Sequence, residues 1–197
     1  MGVGRAGSTS LAATIQWMAR DGASMAGGLL FTSLVSANFG VNVKTWRLFA
    51  DAANDVGITL EMLAPLFRGH FLQLICLASV FKAVCGVAAG ATGAAITEHW
   101  ALEGNIADVG AKNGAQHTAV SMVGLGLGMW FAKAANTAPA RVWGSYVALT
   151  LLHLWTNYAA MRTLALRSIN PARADLLART YMDHLERRYG FGPPGME

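Results

Sequence analysis

Charge is what this chain has least of. Asp, Glu, Lys and Arg make up 13% of its 197 residues, about half the usual share of about 25% in soluble domains. A surface so poor in charge does not suit an ordinary small soluble domain. Together with 54% hydrophobic residues and a mean hydropathy of +0.38, it points to a membrane protein or an unusually large buried core. Cysteine is nearly absent too. Cys76 and Cys85 lie on opposite sides of one apolar helical segment, so they cannot pair within it, and a disulfide framework is excluded. Period-two alternation is missing, which leaves an all-α reading. Walker, GxSxG and zinc-cluster patterns are missing as well. The N-terminus, MGVGRAGSTSLAAT, lacks a signal-peptide plan and already enters a helical pattern. That implies a natural polypeptide beginning further upstream.

The excess of base over acid, a net +4, gathers toward the C-terminus at Arg162, Arg167, Arg173, Arg179, Arg187 and Arg188. Without interleaved aromatics this suits an anionic membrane face and no nucleic acid. Periodicity and breakers predict helices near 8–20, 23–36, 42–66, 70–88, 91–103, 115–135, 141–168 and 171–188. Segments 71–97, 115–135 and 142–161 approach the roughly 20 residues needed to cross a bilayer. Their Gly, Ala and scattered polar residues fit helices packed inside a polytopic bundle. The predicted domain is 1–188, with halves at about 4–68 and 70–168, a basic amphipathic helix over 171–188 and a tail over 189–197.

The halves rest on an internal repeat. AGSTSLAATIQW (6–17) and AGATGAAITEHW (89–100) agree at six of twelve positions at a constant offset of 83, including Trp17 and Trp100. ARDG (19–22) answers AKNG (111–114), each leading into an apolar, Gly-containing stretch. TWRLFADAAND and LHLWTNYAAMR then occupy corresponding places. Related helical halves with polar groups between them are a transporter pattern.

Polar side chains fall on two stripes. At about 100° per residue, Lys44, Arg47, Asp51, Asn54, Asp55 and Glu61 share an arc of about 120°. The stripe reads either as a solvent-facing or interfacial helix with an Arg47–Asp51 pair, or as the polar wall of a shared cavity. Tyr146, Thr150, His153, Thr156 and Asn157 line one side of a span without formal charges. A lipid-facing stripe of that kind would be costly, so it faces protein or a cavity. The candidate solute site is therefore Arg47, Asp51, Asn54, Asp55, His153 and Asn157. Arg20, Asp21 and Gly22, with Lys112, Asn113 and Gly114, read as helix N-caps or as anion-binding, gating motifs at helix N-termini. Lys82 reads as an ion-pair partner or a snorkelling residue before it reads as a Schiff-base lysine. Glu98, His99, Glu103, Asp108 and His117 lack any metal-ligand spacing, so no metal or cofactor is expected.

Four stretches carry a family resemblance: WMARDGASMAGGLLF, VKTWRLFADAANDVGITLEMLAPLF, AAGATGAAITEHWALEGNIADVGAKNGAQHTAVSMVGLGLG and LTLLHLWTNYAAMRTLALRSINPAR. In order, over most of 4–182, they resemble the Root UVB Sensitive family, with KxWRLFADxxND and NxADVxAKxGxQ as its specific signatures. Gly28 and Gly93 stand where arginines are usual. The resemblance implies a polytopic membrane protein, often of plastids, tied in plants to UV-B responses and vitamin B6 homeostasis. It also implies membrane lipid and related family members as partners, in homo- or hetero-oligomers. It carries over no catalytic residues, and the missing nucleophile–base set argues against an enzyme. The sequence thus reads as a transporter of a small polar or anionic solute, with a non-transporting scaffold as the alternative.

Overall fold

Alanine and glycine set the helix spacing. In a computed structural model describing residues 10–135, 138–166 and 171–190, every long element is helical. These are α1 (Ser10–Val35), α2 (Val43–Leu63), α3 (Phe71–Trp100), α4 (Ile106–Ala135), α5 (Pro139–Thr163) and α6 (Pro171–Tyr189), with short 3₁₀ turns at Ser36–Asn38, Ala64–Leu66 and Arg68–His70. No strand occurs among the described residues. The chain divides into two compact units, Met1–Ala165 and Leu166–Glu197. In the second, α6 carries an exposed Arg179–Asp175 pair at 2.9 Å.

Within the first unit, α3 packs against α1 and against α2, and α2 in turn meets α5. Small residues make the contacts. Ala50 and Ala53 of α2 and Ala78 and Ala88 of α3 are buried, which lets backbones approach closely. A Cβ at Gly57 would stand 3.0 Å from the Ala78 carbonyl oxygen, and one at Gly27 2.7 Å from a Val80 methyl. Ser79 Oγ donates to Arg20 O at 3.0 Å, and Ser24 Oγ donates to Ser79 O at 3.3 Å, tying α1 to α3. The α1–α2 connection is held by aromatics. Phe39 is buried and meets Trp46 edge-to-face at 5.1 Å, while Trp46 Nε1 donates to Asn38 O at 3.0 Å. Phe31 and Phe49 complete the cluster. Edge-to-face pairs of this kind add to the burial of the rings themselves.

Three boundaries differ from the sequence reading. The predicted helices 8–20 and 23–36 are one, α1, so Arg20–Gly22 lie mid-helix. Helices 70–88 and 91–103 likewise merge into α3. Helix α4 starts at Ile106, ahead of Lys112–Gly114. Glycine inside a helix costs only about 1 kcal/mol relative to alanine, and tertiary packing on α3 offsets that at α1. Asp21 and Asn113 therefore cap nothing, and neither motif presents the free N–H groups that an N-terminal anion site needs. Where a real break occurs, at Ala101–Asn105, Glu103 and Gly104 take φ of 60° and 78°. The two repeat segments consequently sit differently. The described part of 6–17 opens α1, whereas 89–100 closes α3 and is separated from AKNG by that break.

Among the described residues one helix, over Arg68–Trp100, is long and apolar enough to cross a membrane by length and composition. Segments 115–135 and 142–161 fall within α4 and α5 but are not such helices among the described residues. Even so, apolar side chains cover much of the outside. Leu29 and Leu34 on α1, Val120 and Met129 on α4, and Leu151 and Trp155 on α5 are all exposed.

The tight crossing at Gly57 gives a direct test. Gly57→Ala should destabilise the protein in detergent by about 1–3 kcal/mol, because the new methyl meets a fixed backbone carbonyl. Gly86→Ala, where nothing lies within 4 Å, should instead gain up to about 1 kcal/mol from helix propensity. Equal melting temperatures for the two variants would show that the crossing is not tight.

Candidate functional site

Packing α2 on α3 leaves part of the α2 polar stripe turned toward α5. The two helices run antiparallel there, since Thr59 meets Tyr146 while Asp55 and Asp51 meet His153. Asp55 is the one buried charged residue among those described, at 8% exposure. Its carboxylate takes His153 Nδ1 at 3.2 Å from each oxygen. On the other side of the ring, His153 Nε2 lies 3.9 Å from Asp51 Oδ1. That separation is electrostatic contact and too long for a hydrogen bond.

Above this bracket, Thr59 Oγ1 donates to the Asp55 carbonyl at 2.7 Å. Tyr146 Oη shares short hydrogen bonding with Thr59 Oγ1 and lies 3.3 Å from the same carbonyl. Side chains four residues apart on α2 and seven apart on α5 thus interlock, holding Asp55 and His153 in register. Thr59 was not singled out from the sequence, although its place one turn after Asp55 marked it. Tyr146 was seen on the His153 stripe but not included in the site.

Arg47 departs from expectation. No Arg47–Asp51 ion pair forms; Arg47 Nη1 instead reaches across to Ala89 O on α3 at 3.5 Å. Asp51 lies one turn on and only about 40° around α2, so the two residues share a side of the helix, but the long Arg47 side chain bends toward α3 while the Asp51 carboxylate meets α5. The guanidinium still acts on Asp51 through space. Burial pushes Asp51 above the ordinary carboxylate range; Arg47 and His153 pull it back, and the neighbouring Asp55 charge adds to the rise.

Of the remaining candidates, Asn54 is half-buried on α2. Asn157 lies one turn beyond His153 with its Nδ2 buried and unpaired. The structure does not bring the two basic-Gly motifs to this place. Arg20 pairs with Asp21 at 2.6 Å and lies 4.2 Å over the Trp17 ring. Lys112 pairs with Asp108 at 2.8 Å on an exposed turn of α4. Lys82 pairs with Glu61 at 2.6 Å between α3 and α2. Among the described residues no group of three His, Cys, Asp or Glu is arranged to hold a metal ion.

Chemically, two carboxylates facing one imidazole gather acceptors and negative charge in one place, an arrangement suited to a cationic nitrogen. Helix α2 lies outside the candidate membrane spans, and Asp51 gives it a pH signature. A raised folded pKa means the fold favours protonated Asp51. That contribution is complete below the unfolded aspartate value of about 3.9 and is lost as pH rises through the folded value. Asp51→Asn, fixed neutral, should gain melting temperature relative to wild type as pH climbs from about 4, and the gap should level off above the folded pKa. Each 1 kcal/mol corresponds to about 2–4 °C in a chain of this size. A gap independent of pH would show Asp51 to be unperturbed.

Comparison with known proteins places the chain. The family model described as the vitamin B6 photo-protection and homoeostasis domain matches residues 1–185. Protein root UVB sensitive 3 of Arabidopsis thaliana is 44% identical over 90% of this chain and 40% of its own length. RUS family member 1 of Dictyostelium discoideum is 41% identical over 89% of this chain and 34% of its own. Protein root UVB sensitive 2, chloroplastic, of Arabidopsis thaliana is 30% identical over 87% and 39%. The chain thus spans about two-fifths or less of the length of these relatives, and no solved structure matches it. A match over nearly the whole chain means that it belongs to the family of the vitamin B6 photo-protection and homoeostasis domain, the root UVB sensitive proteins.

Proposed function

We propose that this chain is a membrane-embedded helical core that handles a small polar or anionic solute linked to vitamin B6 homeostasis, with the α2–α5 site on the solute's path. The observation that carries the reading is the Asp51–His153–Asp55 bracket, two largely buried carboxylates set against a partly exposed imidazole in a chain whose outside is largely apolar. Buried ion pairs contribute little to stability, so ionisable groups held that way point to a functional role. Lipid is the natural solvent for Leu29, Val120, Met129 and Leu151, all more than 60% exposed, and α3 has the length to span it.

In this proposal the chain holds two related halves, at about 4–68 and 70–168, as the repeated order of motifs implies. The membrane is that of a plastid, in keeping with the relative named chloroplastic. Homo- or hetero-oligomers with family members, and the absence of enzymatic chemistry, belong to the same proposal. A non-transporting scaffold is the second reading. It is favoured by α4, along which residues 111 to 133 are all exposed.

Flux separates the two. Proteoliposomes holding the chain should take up pyridoxal 5′-phosphate, pyridoxamine 5′-phosphate or pyridoxine above empty liposomes, and Asp55→Ala should cut that flux at least tenfold. Uptake no greater than that of empty liposomes for every vitamer would sink the transport reading and leave the scaffold.

A further inference from the structure

Two hydrogen-bond donors beside the Asp51–His153–Asp55 bracket are under-used. Asn157 Nδ2 is buried and finds no acceptor among the described residues. Arg47 offers five N–H groups, yet its side chain makes one hydrogen bond, at the 3.5 Å limit, to Ala89 O. The antiparallel register that sets Thr59 against Tyr146 and Asp51 against His153 continues one turn further. It brings Asn157 of α5 level with the Arg47–Asp51 turn of α2. Donors thus gather at one end of the stripe and acceptors at the other. Glu61 and Lys82, at the far end of the stripe, neutralise each other at 2.6 Å, while Lys44, one turn before Arg47, adds positive charge at the basic end.

We infer that the site takes a small zwitterion, its phosphate or carboxylate held by Arg47 and Asn157 and its ammonium or protonated ring nitrogen by Asp51 and Asp55. The inference rests on the reading above that the α2–α5 site receives a solute, and it names that solute's charge class. Arg47 is a counter-charge for Asp51. A ligand anion that engages Arg47 weakens that support, and a cation on the same ligand restores it. A ligand with one charge alone would leave an uncompensated charge in a half-buried, poorly hydrated place. Planar Arg and a side-chain amide are suited to oxyanions, and paired carboxylates to a cationic nitrogen.

The test is binding to the purified full chain in detergent, by calorimetry, with three size-matched probes. O-phosphoethanolamine carries both charges, ethyl phosphate the anion and ethanolamine the cation. Phosphoethanolamine should bind at least tenfold more tightly than either of the others. Arg47→Gln and Asn157→Leu should each erase its advantage over ethanolamine, and Asp51→Asn its advantage over ethyl phosphate. Asn157→Leu, which removes an unpaired buried donor, should melt no lower than wild type, so its loss of binding cannot be laid to misfolding. Ethyl phosphate or ethanolamine binding as tightly as phosphoethanolamine overturns the inference, as does failure of all three to bind. Dual-charge binding without vitamer flux would uphold the zwitterion site and defeat the vitamin B6 reading. Flux of vitamers without charge-pair selectivity would do the reverse.

Discussion

The approach of α2 to α3 is the contact on which the rest depends. At Gly57 there is room for a hydrogen and for little else, because the Ala78 carbonyl stands 3.0 Å from where a Cβ would be. Ala50, Ala53, Ala78 and Ala88 extend the same close fit along the two helices. Without large side chains to interdigitate, such an interface gains its energy from many short van der Waals contacts, and it permits little freedom of rotation. Its rotational setting decides where the α2 polar stripe points. One edge, at Arg47, faces the α3 main chain; the other, at Asp51 and Asp55, faces α5.

From that setting follows the electrostatics of the site. A carboxylate as buried as Asp55 requires a partner, and His153 supplies one at 3.2 Å. Asp51 is left with partial support, near His153 and near Arg47 but bonded to neither, and burial raises its pKa accordingly. Two acids in one place cannot both be fully compensated by a single imidazole. Lys82 and Glu61, by contrast, form a one-to-one ion pair at 2.6 Å between α3 and α2.

The all-helical class, the stripes on α2 and α5 and the family itself were legible in the chain, because each rests on local spacing or on contiguous motifs. KTWRLFADAAND shows its polarity by periodicity alone. Helix ends were less legible. RDG and KNG carry the residues of caps and turns, yet both lie mid-helix. A glycine penalty of about 1 kcal/mol is readily offset when the rest of a helix is long and, at α1, packed on a neighbour. Arg47 and Asp51 have the spacing of an ion pair, but spacing cannot say which neighbouring helix each side chain meets.

Sequence by itself determined which residues could share a side of a helix, and that a chain with so few charges must keep them for particular places. Tertiary structure alone decided the pairing of those sides: Asp55 with His153, Thr59 with Tyr146, Arg47 with Ala89 O. The reason is physical. Periodicity is set by 3.6 residues per turn within one helix, whereas partnership between helices is set by how closely small residues let their axes approach and rotate.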